Sequence, residues 1–171
     1  AAELGGAAIR AAHAEAGMPS VDELWMGCVL PAGQGQAPAR QAGFAAGLGE
    51  TVPATTLNKM CGSGMKAVMA ARDQIALGQA VTVIAGGMES MTGAPYLLPR
   101  MRGGARIGHD KVIDHMFLDG LEDAYDKGRL MGTFAEECAE AFQFTREAQD
   151  QYAIASLDNA LDAERGGAFA N

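Results

Sequence analysis

The sequence predicts an α/β fold with a parallel or mixed sheet and helices packed on its faces. Two observations carry this. Short apolar or β-branched runs at 24–30, 51–57 and 80–85 have strand length, and segments of helical spacing at 39–48 and 64–77 lie between them. The order strand, helix, strand, helix, strand is that of crossover units building one sheet.

The first segment, 2–16, is a helix of small residues with Leu4, Ala8, Ile9 and Ala12 on or near one face, ended by Gly17-Met18-Pro19. His13 lies on it as a solvated residue. The run 24–30 (LWMGCVL) is the first strand, with Cys28 as core packing. A loop at 31–35 leads to a short helix at 39–48, closed by Gly49. The run 51–57 (TVPATTL) is the second strand, with Pro53 at its start or on an edge. Segment 64–77 places Met65, Val68, Met69 and Ile75 among many alanines. Such a nearly all-apolar cylinder predicts a buried helix, stopped by Gly78. The strand 80–85 (AVTVIA) runs into Gly86-Gly87, a tight turn that permits close backbone approach.

After Met91 the character changes. The stretch 92–108 is rich in proline and glycine with little periodicity, which places a domain boundary near 91 and divides the chain into 1–90 and 91–171. Arg100, Arg102, Arg106, His109 and Lys111 cluster in a chain whose net charge is −8. A solvated surface explains such a cluster, and so does attraction to an anionic ligand. Residues 112–121 have helical spacing. Thr133-Phe134-Ala135-Glu136 has the form of a capping box opening a helix to about 142, with Cys138 as packing. Thr145 caps a longer helix with Ile154, Leu157 and Leu161 on one face.

Composition excludes several classes. The negative balance argues against nucleic-acid binding through a basic surface. No run approaches the length of a membrane span. Three widely spaced cysteines suggest neither a disulfide framework nor a metal site, and the histidines have no metal-ligand spacing. A reducing cytoplasm is the expected compartment.

The most informative stretch is Met60-Cys61-Gly62-Ser63-Gly64-Met65-Lys66-Ala67, on a strand-to-helix turn. A helix N-terminus presents N–H groups without intrahelical partners, together with the positive end of the dipole. Both favour an anionic sulfur nucleophile, and the same N–H groups could stabilise an oxyanion. A small buried hydrophobe is the alternative for Cys61. A second alternative is nucleotide binding, because Gly62 to Ala67 fits G-x-G-x-x-A after a strand. That fingerprint needs an acid at the end of the next strand, and the first one, Glu89, lies beyond Gly86-Gly87.

Asn58-Lys59-Met60-Cys61-Gly62-Ser63-Gly64-Met65-Lys66-Ala67 resembles the nucleophile segment of thiolases, the acetyl-CoA acetyltransferases. Three further segments resemble the same family in the same order: residues 26–36 (MGCVLPAGQGQ), 85–91 (AGGMESM) and 130–136 (LMGTFAE). The resemblance implies a layered αβαβα thiolase fold. Residues 1–90 would supply most of the N-terminal core domain, and 91–171 the first part of an inserted loop domain that carries the coenzyme A site. It implies reversible Claisen condensation of acetyl-CoA, or thiolysis of 3-ketoacyl-CoA, with Cys61 holding the acyl group and ping-pong kinetics. The partners implied are acetyl-CoA, acetoacetyl-CoA and coenzyme A, as substrates and products rather than cofactors, in a homodimer or homotetramer.

Met131 sits in a context similar to a thiolase segment that lines the acyl and pantetheine pocket. Many relatives have histidine before that methionine, where this chain has Leu130. Arg100, Arg102 and Arg106 would favour coenzyme A. The family also uses a histidine, an asparagine and a second cysteine from its C-terminal half, roughly C-x-G-G-G and G-H-P for the cysteine and the histidine. Neither pattern occurs here. The expectation is therefore an N-terminal portion that is inactive alone. A non-catalytic thiolase-like interaction protein is the reading if 171 residues is the natural length.

Overall fold

The computed structural model of the chain describes residues 1–170. Contacts divide it into two compact units, Ala1–Tyr125 and Asp126–Asn171.

The first unit is built on a three-stranded parallel sheet of β1 (Glu23–Gly27), β2 (Ala54–Leu57) and β3 (Val83–Gly87), in the order β2-β1-β3. Leu24 pairs with Ala54 on one side and Ile84 on the other. Side chains alternate across a strand, so β1 has two different faces. Leu24 and Met26, with Cys28 beyond the strand, join Ile9, Ala39, Ala42, Leu48 and Met88 in the buried core. That core is closed by α1 (Ala2–Glu15) and α2 (Pro38–Ala46). The two helices touch through small residues. A Cβ on Gly6 would stand 2.7 Å from that of Ala45. In α1 the buried residues are Gly5, Gly6 and Ile9, whereas Leu4, expected on the packed face, is exposed. The second helix ends at Gly47, in the left-handed conformation, rather than at Gly49.

The opposite face is covered by α3 (Ser63–Ala76). Its buried residues are Ser63, Ala67 and Ala71, spaced four apart on one stripe. The expectation of a helix buried all round is corrected: Met65 is 73% exposed, and Val68, Met69 and Ile75 are exposed as well. Small residues face the sheet because they allow the helix close to it, and the large apolar residues are left on the outer side.

The strand limits differ from expectation for local reasons. The first strand leaves the sheet after Gly27 because the Val29 and Leu30 N–H groups donate to the Glu89 carboxylate instead of to a neighbouring strand. The second begins at Ala54 because Pro53 has no N–H to donate, although its carbonyl accepts from Leu24. The third begins at Val83, since the Val81 and Thr82 N–H groups donate to the Asp22 carboxylate. These two bonds hold the Asp22 carboxyl below its ordinary range. Gly86 and Gly87 were expected in a turn but belong to β3, opposite Met26 and Gly27.

Beyond β3 the chain forms a two-stranded antiparallel ribbon, β4 (Tyr96–Leu97) with β5 (Ile113–Asp114). The helix expected over 112–121 is this strand followed by a wide π turn at Phe117–Leu121, where Glu122 N donates to Phe117 O. His13 is not simply solvated. Its Nε2 lies 2.7 Å from Pro19 O and ties the end of α1 to the next loop.

The second unit contains α4 (Met131–Ala141) and α5 (Arg146–Arg165). The capping box is not formed. The helix starts two residues before Thr133, whose hydroxyl donates to Leu130 O. Thr145 does cap α5, accepting from Ala148 N at 3.1 Å. Cys138 is exposed rather than packed, and Ile154 and Leu157 on α5 are also exposed. Among the described residues, no helix is long and apolar enough to cross a membrane.

Candidate active site

Cys61 lies on the turn between β2 and α3, one residue before the N-cap Gly62, and is exposed. Side-chain bonds shape the turn. Asn58 Oδ1 accepts from Met60 N at 2.9 Å, and Met60 takes a left-handed φ of 49°. Ser63 is 4% exposed. Its hydroxyl accepts from Lys59 N at 2.8 Å and donates to Met60 O at 2.6 Å, bracketing the cysteine from both sides. A non-glycine residue in this φ region costs of order 1 kcal/mol, which the surrounding bonds must hold in place.

The expectation that the first N–H groups of this helix stand open is only partly met. Gly62 N donates to Lys59 O and Ser63 N to Met60 O, so these two are used within the turn. The positive end of the helix still points at the turn.

The turn is seated against the sheet through glycine. A Cβ on Gly27 would stand 2.6 Å from Ser63 Cβ, 2.7 Å from Ser63 C and 2.8 Å from Gly64 N. Only a residue without a side chain lets the start of α3 approach the end of β1 this closely.

Cys61 opens into a cavity of about 410 Å³. Met60, Cys61, Ser63 and Gly64 form one wall, and Val29 and Leu30 after β1 form another. Gly87, Met88, Glu89 and Met91 close it at the end of β3, and Met116, Gly120 and Leu121 close it from the π turn. Ligand sites in parallel α/β sheets lie at the carboxyl ends of the strands, and this cavity does too. The lining is mostly apolar, with the thiol and the Glu89 carboxylate as its chemical groups.

Glu89 was weighed in the sequence only as a fingerprint acid and as part of the 85–91 segment, and its anchoring role was missed. Its Oε2 accepts from Val29 N at 2.7 Å and its Oε1 from Leu30 N at 3.0 Å. Cys28 Sγ donates to the same Oε1 at 3.5 Å. The available signal was an acid two residues after the Gly86-Gly87 end of a strand. Cys28 itself is 1% exposed. Burial pushes its thiol up, the Glu89 charge pushes it further, and the Gln34 amide that donates to the sulfur opposes them. Cys28 is thus a neutral core thiol, as expected.

The other expected site residues are placed by other elements. Arg100, Arg102 and Arg106 are exposed before, on and after a single 3-10 turn at Met101–Gly103, and none lines the cavity. Leu130 and Met131 open α4 in the second unit and are exposed. Among the described residues, no group of three or more His, Cys, Asp or Glu could hold a metal ion.

Residues 1–171 match the model of the thiolase N-terminal domain. The chain is 49% identical over 169 residues to an acetyl-CoA acetyltransferase of Cupriavidus necator, covering 98% of this chain and 43% of that protein. It is 51% identical over 172 residues to acetyl-CoA acetyltransferase 2 of Arabidopsis thaliana, covering 99% and 42%. An acetyl-CoA acetyltransferase of Saccharomyces cerevisiae is 45% identical over 175 residues, covering 100% and 44%. The chain therefore spans less than half the length of these relatives. A match along the whole chain, at such identity, places the Cys61 turn and the glycine-rich end of β3 in one family: the chain belongs to the thiolases and carries their N-terminal domain.

Proposed function

We propose that this chain carries the nucleophile of an acetyl-CoA C-acyltransferase that catalyses reversible Claisen condensation of acetyl-CoA or thiolysis of 3-ketoacyl-CoA. The observation that carries the reading is the exposed Cys61 at the N-terminal end of α3, opening into an apolar cavity. Cys61 Sγ attacks the thioester carbonyl, and a new carbon–sulfur bond forms. The bond to the coenzyme A sulfur breaks, and coenzyme A leaves with a proton. The acyl group stays on Cys61 until a second thiol or a carbanion attacks it, which gives ping-pong kinetics.

Condensation also needs a base to take a proton from the methyl carbon of the second acetyl-CoA. In the family that base and its partner cysteine come from C-terminal motifs. On this reading the 171 residues alone become acylated slowly at Cys61 and do not turn over. Residues 1–90 act as the core domain and 91–171 as the first part of the loop domain. Leu130 and Met131 contact the acyl–pantetheine chain. Arg100, Arg102 and Arg106 attract the phosphates of coenzyme A, an effect that salt screens. Replacing all three arginines with alanine should raise the half-saturating concentration mostly at low ionic strength, and an unchanged value there would leave them as solvated surface. A homodimer or homotetramer in the cytoplasm belongs to the same proposal and rests on the family alone.

A nucleotide-binding role for Gly62 to Ala67 fits less well. The Gly62 and Ser63 N–H groups are occupied by the turn, and the acid after β3 is occupied by the Val29 and Leu30 N–H groups. The test is incubation with radiolabelled acetyl-CoA, digestion and mapping of the label. Label is expected on Cys61 and is lost in Cys61→Ser. Label on Cys28 or Cys138 with none on Cys61 would reject the assignment.

A further inference from the structure

His115 and Ser63 are the buried polar side chains of the core, and only Ser63 is explained by the nucleophile turn. His115 is 5% exposed. Its Nδ1 lies 2.6 Å from Asp119 Oδ2, and its Nε2 lies 3.4 Å from Ala32 N. A carboxylate accepts and a peptide N–H donates. The ring satisfies both only as the neutral tautomer with the proton on Nδ1. The His115 peptide N–H donates to Pro95 O, so backbone and ring are both held.

The ring joins two walls of the cavity. Asp119 belongs to the π turn Phe117–Leu121, which with Met116 supplies Gly120 and Leu121 to the lining. Ala32 belongs to the loop after β1, which supplies Val29 and Leu30. The two walls approach each other: a Cβ added to Gly120 would stand 3.5 Å from Leu30 Cδ2. Glu89 anchors the start of that loop, and the ring nitrogen anchors it three and two residues later.

We propose that His115 is a positioning residue that sets the width of the acyl-thioester cavity by clasping the Met116–Leu121 wall to the Val29–Ala32 loop. The proposal rests on the acyltransferase reading of Cys61. Without the ring, both walls keep their own anchors but lose the tie between them. The cavity then widens while the thiol stays on its own turn. Binding of the acyl donor weakens, and the chemistry at sulfur does not.

The test compares the protein with its His115→Ala, His115→Gln and Asp119→Ala variants. Amide hydrogen exchange at 29–32 and 116–121 is expected to accelerate about tenfold in His115→Ala. The acetyl-CoA concentration that half-saturates Cys61 acylation is expected to rise about fivefold, the effect of one lost hydrogen-bond link. The maximal acylation rate should stay within about twofold, and the preference for acetyl-CoA over butyryl-CoA should fall. A glutamine amide can donate to Asp119 and accept from Ala32, so His115→Gln should recover much of both effects. If His115→Ala does not fold, Asp119→Ala is read in the same way, since the Asp119 side chain is 48% exposed. Unchanged exchange together with unchanged half-saturation overturns the proposal. A loss of maximal rate in step with stability, with half-saturation unmoved, overturns it too. If the parent protein takes no acyl group at Cys61, the acyltransferase reading fails. Exchange at 29–32 and 116–121 then decides the clasp by itself, acceleration supporting it and no change overturning it.

Discussion

Replacing Gly27 with alanine adds one methyl group at the tightest point between β1 and α3. The new Cβ would lie 2.6 Å from Ser63 Cβ, 2.7 Å from Ser63 C and 2.8 Å from Gly64 N. Two of these three atoms are backbone, so a rotamer change cannot relieve the contact. The start of α3 has to move away from the sheet, or β1 has to bend. Overpacking of this kind costs about 1–3 kcal/mol when side chains can yield, and more when backbone must. Alanine also restricts the unfolded chain, which returns about 0.5–1 kcal/mol. The net expectation is a loss of about 2–3 kcal/mol, or a fall in Tm of roughly 5–10 °C for a chain of this size. The single tryptophan, Trp25, lies two residues away on the same strand and reports unfolding locally. Gly132→Ala is the control: it makes the same chemical change in α4, where nothing lies within 4 Å of the new Cβ. It should be neutral or slightly stabilising. An unchanged or raised Tm in Gly27→Ala would refute the claim that glycine is required for α3 to seat the Cys61 turn on the sheet.

Glu89→Gln keeps one oxygen for the Val29 and Leu30 donors and turns an NH2 toward the other, so one buried pair becomes donor against donor. The expected cost is about 2–3 kcal/mol by urea denaturation, with faster amide exchange at Val29 and Leu30, and an unchanged midpoint would show that the carboxylate is not needed to hold the loop. Asp22 has its carboxyl held below its ordinary value, first by the Thr82 N–H and then by the Val81 N–H. A depressed carboxyl contributes stability above its ordinary value, and that contribution is lost as pH falls through its lower folded value. Asp22→Asn should therefore be less stable than the parent near neutral pH and converge with it in acid. A stability difference independent of pH down to strong acid would refute the charge-based account.

What could be read from the sequence, and what could not, follows from where each residue finds its partner. The Cys61 turn was legible because strand, turn and helix are contiguous, and a cysteine between Met60 and Gly62-Ser63-Gly64 needs no distant information to be placed. The α/β class was legible for the same reason. The orientation of α3 was not, because apolarity alone does not say which residues are inside. Ala67 and Ala71 face the sheet for their small size, and Met65, Val68 and Met69 stay outside. The anchoring role of Glu89 was not legible because its partners, Val29 and Leu30, stand about sixty positions earlier in the chain. For the His115 ring neither bond was read: Asp119 stands four positions later, and Ala32 stands 83 positions earlier. The capping box at Thr133 failed for the opposite reason: the local pattern was present, but the helix began earlier and took Thr133 into its first turn. Short-range patterns thus located the Cys61 turn, and long-range hydrogen bonds built the walls that face it. The residues to test for control of the acyl donor are therefore Glu89 and His115, which no motif around Cys61 would have named.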